Sequence, residues 1–203
     1  AGGDAAVKRI LDMYDKCQKD ENGRLVNRQG FVFFTSVIDP KDLERMAKLD
    51  TPAEVCLQMM AFGSKDRLGM FEERFGAWRM DRYNNYRAMA DAGVKIGAQT
   101  DLPLFLPDVP QSIYHLSTGR LGKDTEPAFE PTHGLTVGEV LQAWTINNQE
   151  GMSVADKVGT LEAGKLADIA VLDGDVFTAP AEEIQNIKVC LTICDGKVVY
   201  STL

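Results

Sequence analysis

Histidine is scarce in this sequence: His115 and His133 are the only two among 203 residues. A catalytic zinc centre ordinarily takes three protein ligands, so imidazoles alone cannot build one from this chain. Cysteine does not make up the shortfall. Cys17, Cys56, Cys190 and Cys194 form no CxxC pair and read as buried apolar thiols of a reducing compartment. Cys190 and Cys194, four apart in a strand-like run, are expected on one face. Basic residues are also short: 22 Lys and Arg against 30 Asp and Glu leave a net charge of −8, which argues against a nucleic-acid partner. No apolar run reaches membrane-spanning length and no signal peptide is visible. The expectation is no membrane partner and a cytoplasmic location.

What is present is ordinary for a globular chain, with 44% hydrophobic and 26% charged residues. The opening stretch AGGDAAVKRILDMYDKC lacks a methionine and goes straight into a helix start, as in the interior of a longer protein. Asp4 is the expected cap, and Val7, Ile10, Leu11 and Tyr14 fall on one helical face. GFVFFTSVI (30–38) is dense in β-formers and reads as a buried strand. In DPKDLERMAKL, Asp39 caps a helix, Pro40 takes its first position, and Leu43, Met46 and Ala47 share a face. EVCLQMMAF (54–62) is the next strand candidate, SKDRLGMFEERFG reads as an irregular lid or loop, and AWRMDRYNNYRAMADAG as a helix ended by Gly93.

VKIGAQTD follows, a buried strand running out at Gln99, Thr100 and Asp101, with Pro103 close behind. The alternation of helix and strand implies parallel strands joined by crossover helices. In such folds the chemistry lies at the carboxyl ends of the strands. Asp101 stands at such an end, either as a turn cap or as a ligand and proton acceptor. Beyond it come a Pro-rich loop, a helix at 111–118, and a helix opened by a capping box of Thr136 and Glu139. From residue 158 the runs are short and β-rich, and Asp195-Gly196 marks a hairpin turn.

The tail segments GTLEAGKLADIAVLDGD (159–175) and IKVCLTICDGKVVY (187–200) resemble the C-terminal signature of the amidohydrolase superfamily. GLTVGEVLQAWTINNQEG (134–151) is similar to the helix before that signature, ADAGVKIGAQTDLPL to the last barrel strand, and AGGDAAVKRILDMYD to the family's HAxGDxAV…LDxYE stretch. The nearest branch is the type-3 group, which includes N-substituted formamide deformylase-like and exoenzyme-regulator-like members. The resemblance implies an α/β fold: the C-terminal part of a (β/α)8 TIM-type barrel over residues 1–157, then a small β-sandwich tail over 158–203 that needs N-terminal strands from elsewhere. It implies a hydrolase acting on an amide, formamide or other C–N bond of a small-molecule substrate through activated water. The implied cofactor is a divalent metal, zinc, with most ligands outside this chain.

On the same resemblance Asp101 is the last-strand aspartate, both metal ligand and catalytic proton acceptor. His115 and Arg79 are the substrate-binding candidates. His115 also reads as a surface or satisfied helix histidine, and Arg79, with Arg82 and Arg87, as part of a solvated or salt-bridged helix face. His133 reads as a solvated loop residue. Lys165 and Asp168 read as structural, a turn residue and a buried capping carboxylate. The family's first-strand HxH and middle-strand lysine or glutamate would lie before this chain, the ligand histidine of HAxGD would immediately precede Ala1, and Phe34 stands where the next is expected. The partner implied is a second polypeptide or a missing N-terminal half, with oligomerisation open. The competing reading is a non-catalytic amidohydrolase-like scaffold or regulatory subunit.

Overall fold

In the computed structural model, which describes residues 3–27, 31–33, 37–56, 65–101, 103, 108–125 and 131–203, runs rich in β-formers lie side by side as a parallel sheet. Its strands are β1 (Phe31–Phe33), β2 (Ala53–Cys56) and β3 (Ile96–Gln99), in that spatial order. Phe31 pairs with Ala53, Ala53 with Ile96, and Cys56 with Gln99. Parallel pairing requires helices between the strands. Here α2 (Pro40–Leu49) returns the chain from β1 to β2, and α3 (Lys65–Phe75), a 3-10 helix (Ala77–Arg82) and α4 (Tyr86–Asp91) return it from β2 to β3. Before the sheet comes α1 (Asp4–Tyr14); after it come α5 (Val109–Thr118), α6 (Val137–Trp144) and α7 (Ile146–Gly151).

Local chemistry accounts for most helix ends. Asp39 accepts the Lys41 amide at 3.0 Å and Pro40 pre-sets the first turn, while Leu43, Met46 and Leu49 are buried beneath it. The capping box at α6 is reciprocal: Thr136 accepts from the Glu139 amide, and Glu139 accepts from the Thr136 amide at 2.8 Å. At α1 the cap is Gly3 rather than Asp4, which is the first helical residue and accepts the Ala5 amide at 2.8 Å. Val7 and Leu11 enter the core shared with Met46, Val55, Tyr86, Met89, Ile96, Tyr114 and Val140.

Two segments differ from expectation. Residues 65–75 are helical, not irregular. Leu68, Phe71 and Phe75 keep helical spacing and are the part-buried positions among exposed neighbours, and the rings of Phe71 and Phe75 stack at 5.6 Å. The single helix expected over 77–92 is broken at Tyr83–Asn85. Asn84 takes a left-handed conformation at φ 46, and Asn85 starts α4 by accepting the Ala88 amide at 2.9 Å. The strand readings of 30–38 and 54–62 hold at 31–33 and 54–56, whereas Val37 makes only an isolated bridge and Ile38 is in no strand; Phe34 and the rest of those runs lie outside the described residues.

The outer edge of β3 meets α7. Asn147 and Asn148 donate from their side-chain amides to the carbonyls of Ile96 and Ala98, each at 2.8 Å. These are alternate residues of one strand, so the two amides supply the bonds a neighbouring strand would otherwise make.

The tail forms an antiparallel sheet of β4 (Ile169–Leu172), β5 (Val189–Cys194) and β6 (Lys197–Ser201), with the short helix α8 (Ala181–Ile184) between β4 and β5. Asp195 and Gly196 both have positive φ (48 and 73), as a two-residue hairpin turn needs. Asp168 accepts the Asp195 amide at 2.7 Å, so it is the expected capping carboxylate, though it is exposed rather than buried. Lys165 donates to Thr160 at 2.6 Å and pairs with Glu162 at 3.2 Å, a structural role. Cys190 and Cys194 differ in burial: Cys190 is buried and Cys194, at the end of β5 beside the turn, is exposed. The β4–β5 register steps over Cys190, from Val171↔Leu191 to Leu172↔Val189, and such a bulge breaks the two-residue alternation. Val198, Val199 and Tyr200 are all exposed on β6. One three-stranded layer is what the described tail residues form.

Candidate functional site

The carboxyl ends of β1, β2 and β3 all face one way because the strands are parallel. Asp101 follows β3 at that end. Its φ of 53 turns the chain sharply, and its backbone amide donates to the Gln99 side chain at 3.0 Å. The turn is therefore capped by Gln99. The Asp101 carboxylate is exposed and has no hydrogen-bond partner among the described residues. Nearby, Cys56 is buried at the end of β2, and its carbonyl accepts the Tyr86 hydroxyl at 3.4 Å. Burial pushes that phenol far above its ordinary range, which keeps it a neutral donor.

His115 is not brought to this mouth. It is 2% exposed on α5, and its Nδ1 lies 2.7 Å from the Arg120 carbonyl. Burial pushes its pKa down. This is the satisfied helix histidine that the sequence left open, and a side chain so enclosed offers no surface to a substrate. His133 is half-buried, and its Nδ1 is enclosed without a partner among the described residues.

Arg79 lies on the connection from β2 to α4. Its Nε reaches Asp4 at 3.3 Å, and its Nη1 donates to the Phe75 carbonyl at 2.9 Å. Its guanidinium also sits 4.1 Å from the centroid of the Trp78 ring. Arg82 approaches the same ring at 5.1 Å and reaches Asp39 at 3.4 Å. Val37, just beyond β1, bridges to Tyr83, which pins this connection to the carboxyl end of the sheet. Arg87 behaves differently. Both of its Nη atoms engage Glu139 at 2.7 Å and its Nε engages Asp91 at 2.8 Å, locking α4 to α6. The structure thus separates three arginines that the sequence presents as one group. Trp78, the residue that collects two of them, carried no signal beyond its neighbours.

The described residues do not by themselves make a metal centre: no three His, Cys, Asp or Glu side chains come together among them. Asp101 is the one carboxylate at the sheet's mouth that the sequence singled out, and a cation there would need its other donors from elsewhere.

A parallel sheet crossed by helices, with a carboxylate at a strand's carboxyl end, defines a mixed α/β protein. The amidohydrolase family model matches residues 1–200, and the chain belongs to that family. It is 28% identical over 203 residues to an N-substituted formamide deformylase of Arthrobacter pascens, covering 98% of this chain and 35% of that protein. An imidazolonepropionase of Thermoplasma acidophilum is 30% identical over 126 residues, 60% of this chain and 27% of that protein. The chain therefore spans about a third of the length of these relatives. An uncharacterized metal-dependent hydrolase from Pyrococcus horikoshii superposes with a TM-score of 0.66 over 89% of this chain and 34% of that one, at 23% identity. An amidohydrolase from Thermotoga maritima gives 0.55 over 84% of this chain and 37% of that one, at 17% identity. At those identities the two structures speak for the fold.

Proposed function

We propose that the chain is part of the working face of a hydrolase that cleaves the C–N bond of an amide or formamide with water. The observation that carries this is Asp101, an exposed carboxylate without a hydrogen-bond partner among the described residues, at the carboxyl end of a parallel strand, where α/β folds place their chemistry. In this reading Asp101 takes the proton from water as it attacks the carbonyl carbon. Arg79, on the adjoining connection, orients the small-molecule substrate. The reading is supported by the deformylase and imidazolonepropionase relatives. The cofactor we assign is a divalent metal, zinc, to which this chain contributes Asp101 and whose remaining ligands lie beyond the described residues. The exposed apolar side chains of β6 support completion of the tail by further strands, from the same protein or a second polypeptide. The four free thiols support a reducing, cytoplasmic setting.

The test is formate release from N-benzylformamide. Asp101→Asn should lower the rate by roughly a hundredfold or more, the usual worth of a general base, with the circular dichroism spectrum unchanged. An unaltered rate removes Asp101 from the mechanism. The absence of a three-donor cluster among the described residues favours a second reading, a non-catalytic scaffold or regulatory subunit. Stoichiometric metal in the native preparation, together with turnover, excludes that reading; a stable metal-free complex without turnover supports it.

A further inference from the structure

The geometry points to an anion subsite formed by Arg79 and Arg82 around Trp78, which selects substrates carrying a carboxylate. One indole holds both guanidinium groups, at 4.1 and 5.1 Å from its centroid. Stacking on a ring positions an arginine without using its N–H donors. Among the described residues, Arg79 Nη2 has no hydrogen-bond partner, and neither have Arg82 Nε and Nη2. Three donors on two forks are left for a bidentate acceptor, which a carboxylate matches in shape and charge.

The two acidic neighbours are also engaged elsewhere. Asp4 accepts the Ala5 amide in the first turn of α1, and Asp39 caps α2 through the Lys41 amide. Each carboxylate is thus shared between an arginine and a helix N-terminus, which itself carries roughly half a positive charge. The ion pairs are long, 3.3 and 3.4 Å, against 2.7 Å for the saturated Arg87–Glu139 pair. The formal charges of Arg79 and Arg82 are matched by these carboxylates and by Asp81 in the same turn, so what the two forks offer an anion is directed N–H donors rather than excess charge. Trp78 is 57% exposed, so the subsite is open to a small molecule. It lies on the connection pinned beside the carboxyl end of β1, the end of the sheet that carries Asp101.

This inference rests on the C–N hydrolase reading for the choice of probe alone. N-formylglycine carries the carboxylate; N-formylglycinamide is its neutral counterpart. Trp78 and Trp144 are the only tryptophans, so fluorescence in a Trp144→Phe background reports from the proposed subsite. N-formylglycine should give a saturable change, weakened about tenfold or more by Arg82→Gln and partly restored by Arg82→Lys, as loss of a charge-assisted contact implies. N-formylglycinamide should give no saturable change in any of these variants. Equal responses to the two probes overturn the subsite, as does no saturable response to either, or an affinity indifferent to Arg82→Gln. No turnover is needed for this measurement. If N-benzylformamide is not hydrolysed while the carboxylate preference stands, the hydrolase reading fails and the subsite survives.

Discussion

Replacing Glu139 by glutamine tests whether the α4–α6 contact is electrostatic or merely steric. Glu139 receives both Nη groups of Arg87 at 2.7 Å and closes the capping box by accepting the Thr136 amide at 2.8 Å. The guanidinium, first, and then the Thr136 donors hold its carboxyl down at about 2, against an ordinary 4.5. Taken at face value that displacement is worth roughly 3 kcal/mol. The side chains are 30% and 31% exposed, and solvent screening at that exposure leaves about 1–2 kcal/mol. A depressed carboxylate contributes stability that is complete above 4.5 and is lost as pH falls toward 2. Glu139→Gln should therefore be less stable than the parent by that amount at neutral pH, and the gap should close over the same acidic window. Urea unfolding at a series of pH values, followed by far-UV circular dichroism, measures both. Adding Arg87→Met to the variant should produce little further loss, because the pair is already broken. Stability curves for parent and Glu139→Gln that run parallel across that window would refute an ionic contact.

Two other perturbations probe the strand that carries Asp101 and the helix that follows it. A Cβ at Gly97 would collide with the Asn148 amide oxygen, so Gly97→Ala should lower the thermal midpoint, by about 1–3 kcal/mol of stability if it behaves like other overpacked sites. The double variant Gly97→Ala, Asn148→Ala should recover part of that loss, and a strictly additive result would mean the two do not touch. His115, whose pKa burial pushes down, should stay neutral below 6.5 in the folded chain. Because the unfolded chain then binds the proton more readily, this group's stability is present above that pH and falls away below it. With two histidines in the sequence, the imidazole resonances can be followed separately by NMR, and an His115 resonance titrating at or above its ordinary pH contradicts the buried assignment.

The parts of the fold that could be read from the sequence are those set by interactions a few residues apart. Asp39-Pro40, the Thr136–Glu139 box and the Asp195-Gly196 turn each fix their conformation through neighbours within one turn of chain, and each is found in place. The parallel order of the strands followed from their separation by helices. What could not be read depends on longer range or on defects in a period. In α3 the charges and Gly69 hid a stripe of only three side chains, Leu68, Phe71 and Phe75, which becomes visible once Phe71 is seen against Tyr83 at 5.2 Å. The break at Asn84 follows from the tolerance of asparagine for positive φ, but nothing local says which of several polar residues will use it. The register step at Cys190 could not be read from the sequence either, because an alternation argument assumes an unbroken ladder.

The candidate site divides along the same line. Asp101 was legible because a strand's end and a sharp turn are local events, and Gln99, two residues back, supplies the cap that frees its carboxylate. The arginines were legible as residues but not as roles, since a guanidinium is defined by what it meets. Arg87 meets a carboxylate 52 positions away and is saturated. Arg79 meets Asp4, 75 positions away, and Arg82 meets Asp39, 43 away, each at the edge of hydrogen-bonding distance. Trp78 decides between these fates. An α-helix already sets positions three apart on one side, and the tighter 3-10 turn, with three residues per revolution, eclipses them. That brings Arg79 and Arg82 to one side of the connection and within reach of a single indole. If the indole is what positions both guanidinium groups, Trp78→Ala should weaken N-formylglycine binding, read by calorimetry, without altering the local charge, and an unchanged affinity would take the ring out of the argument.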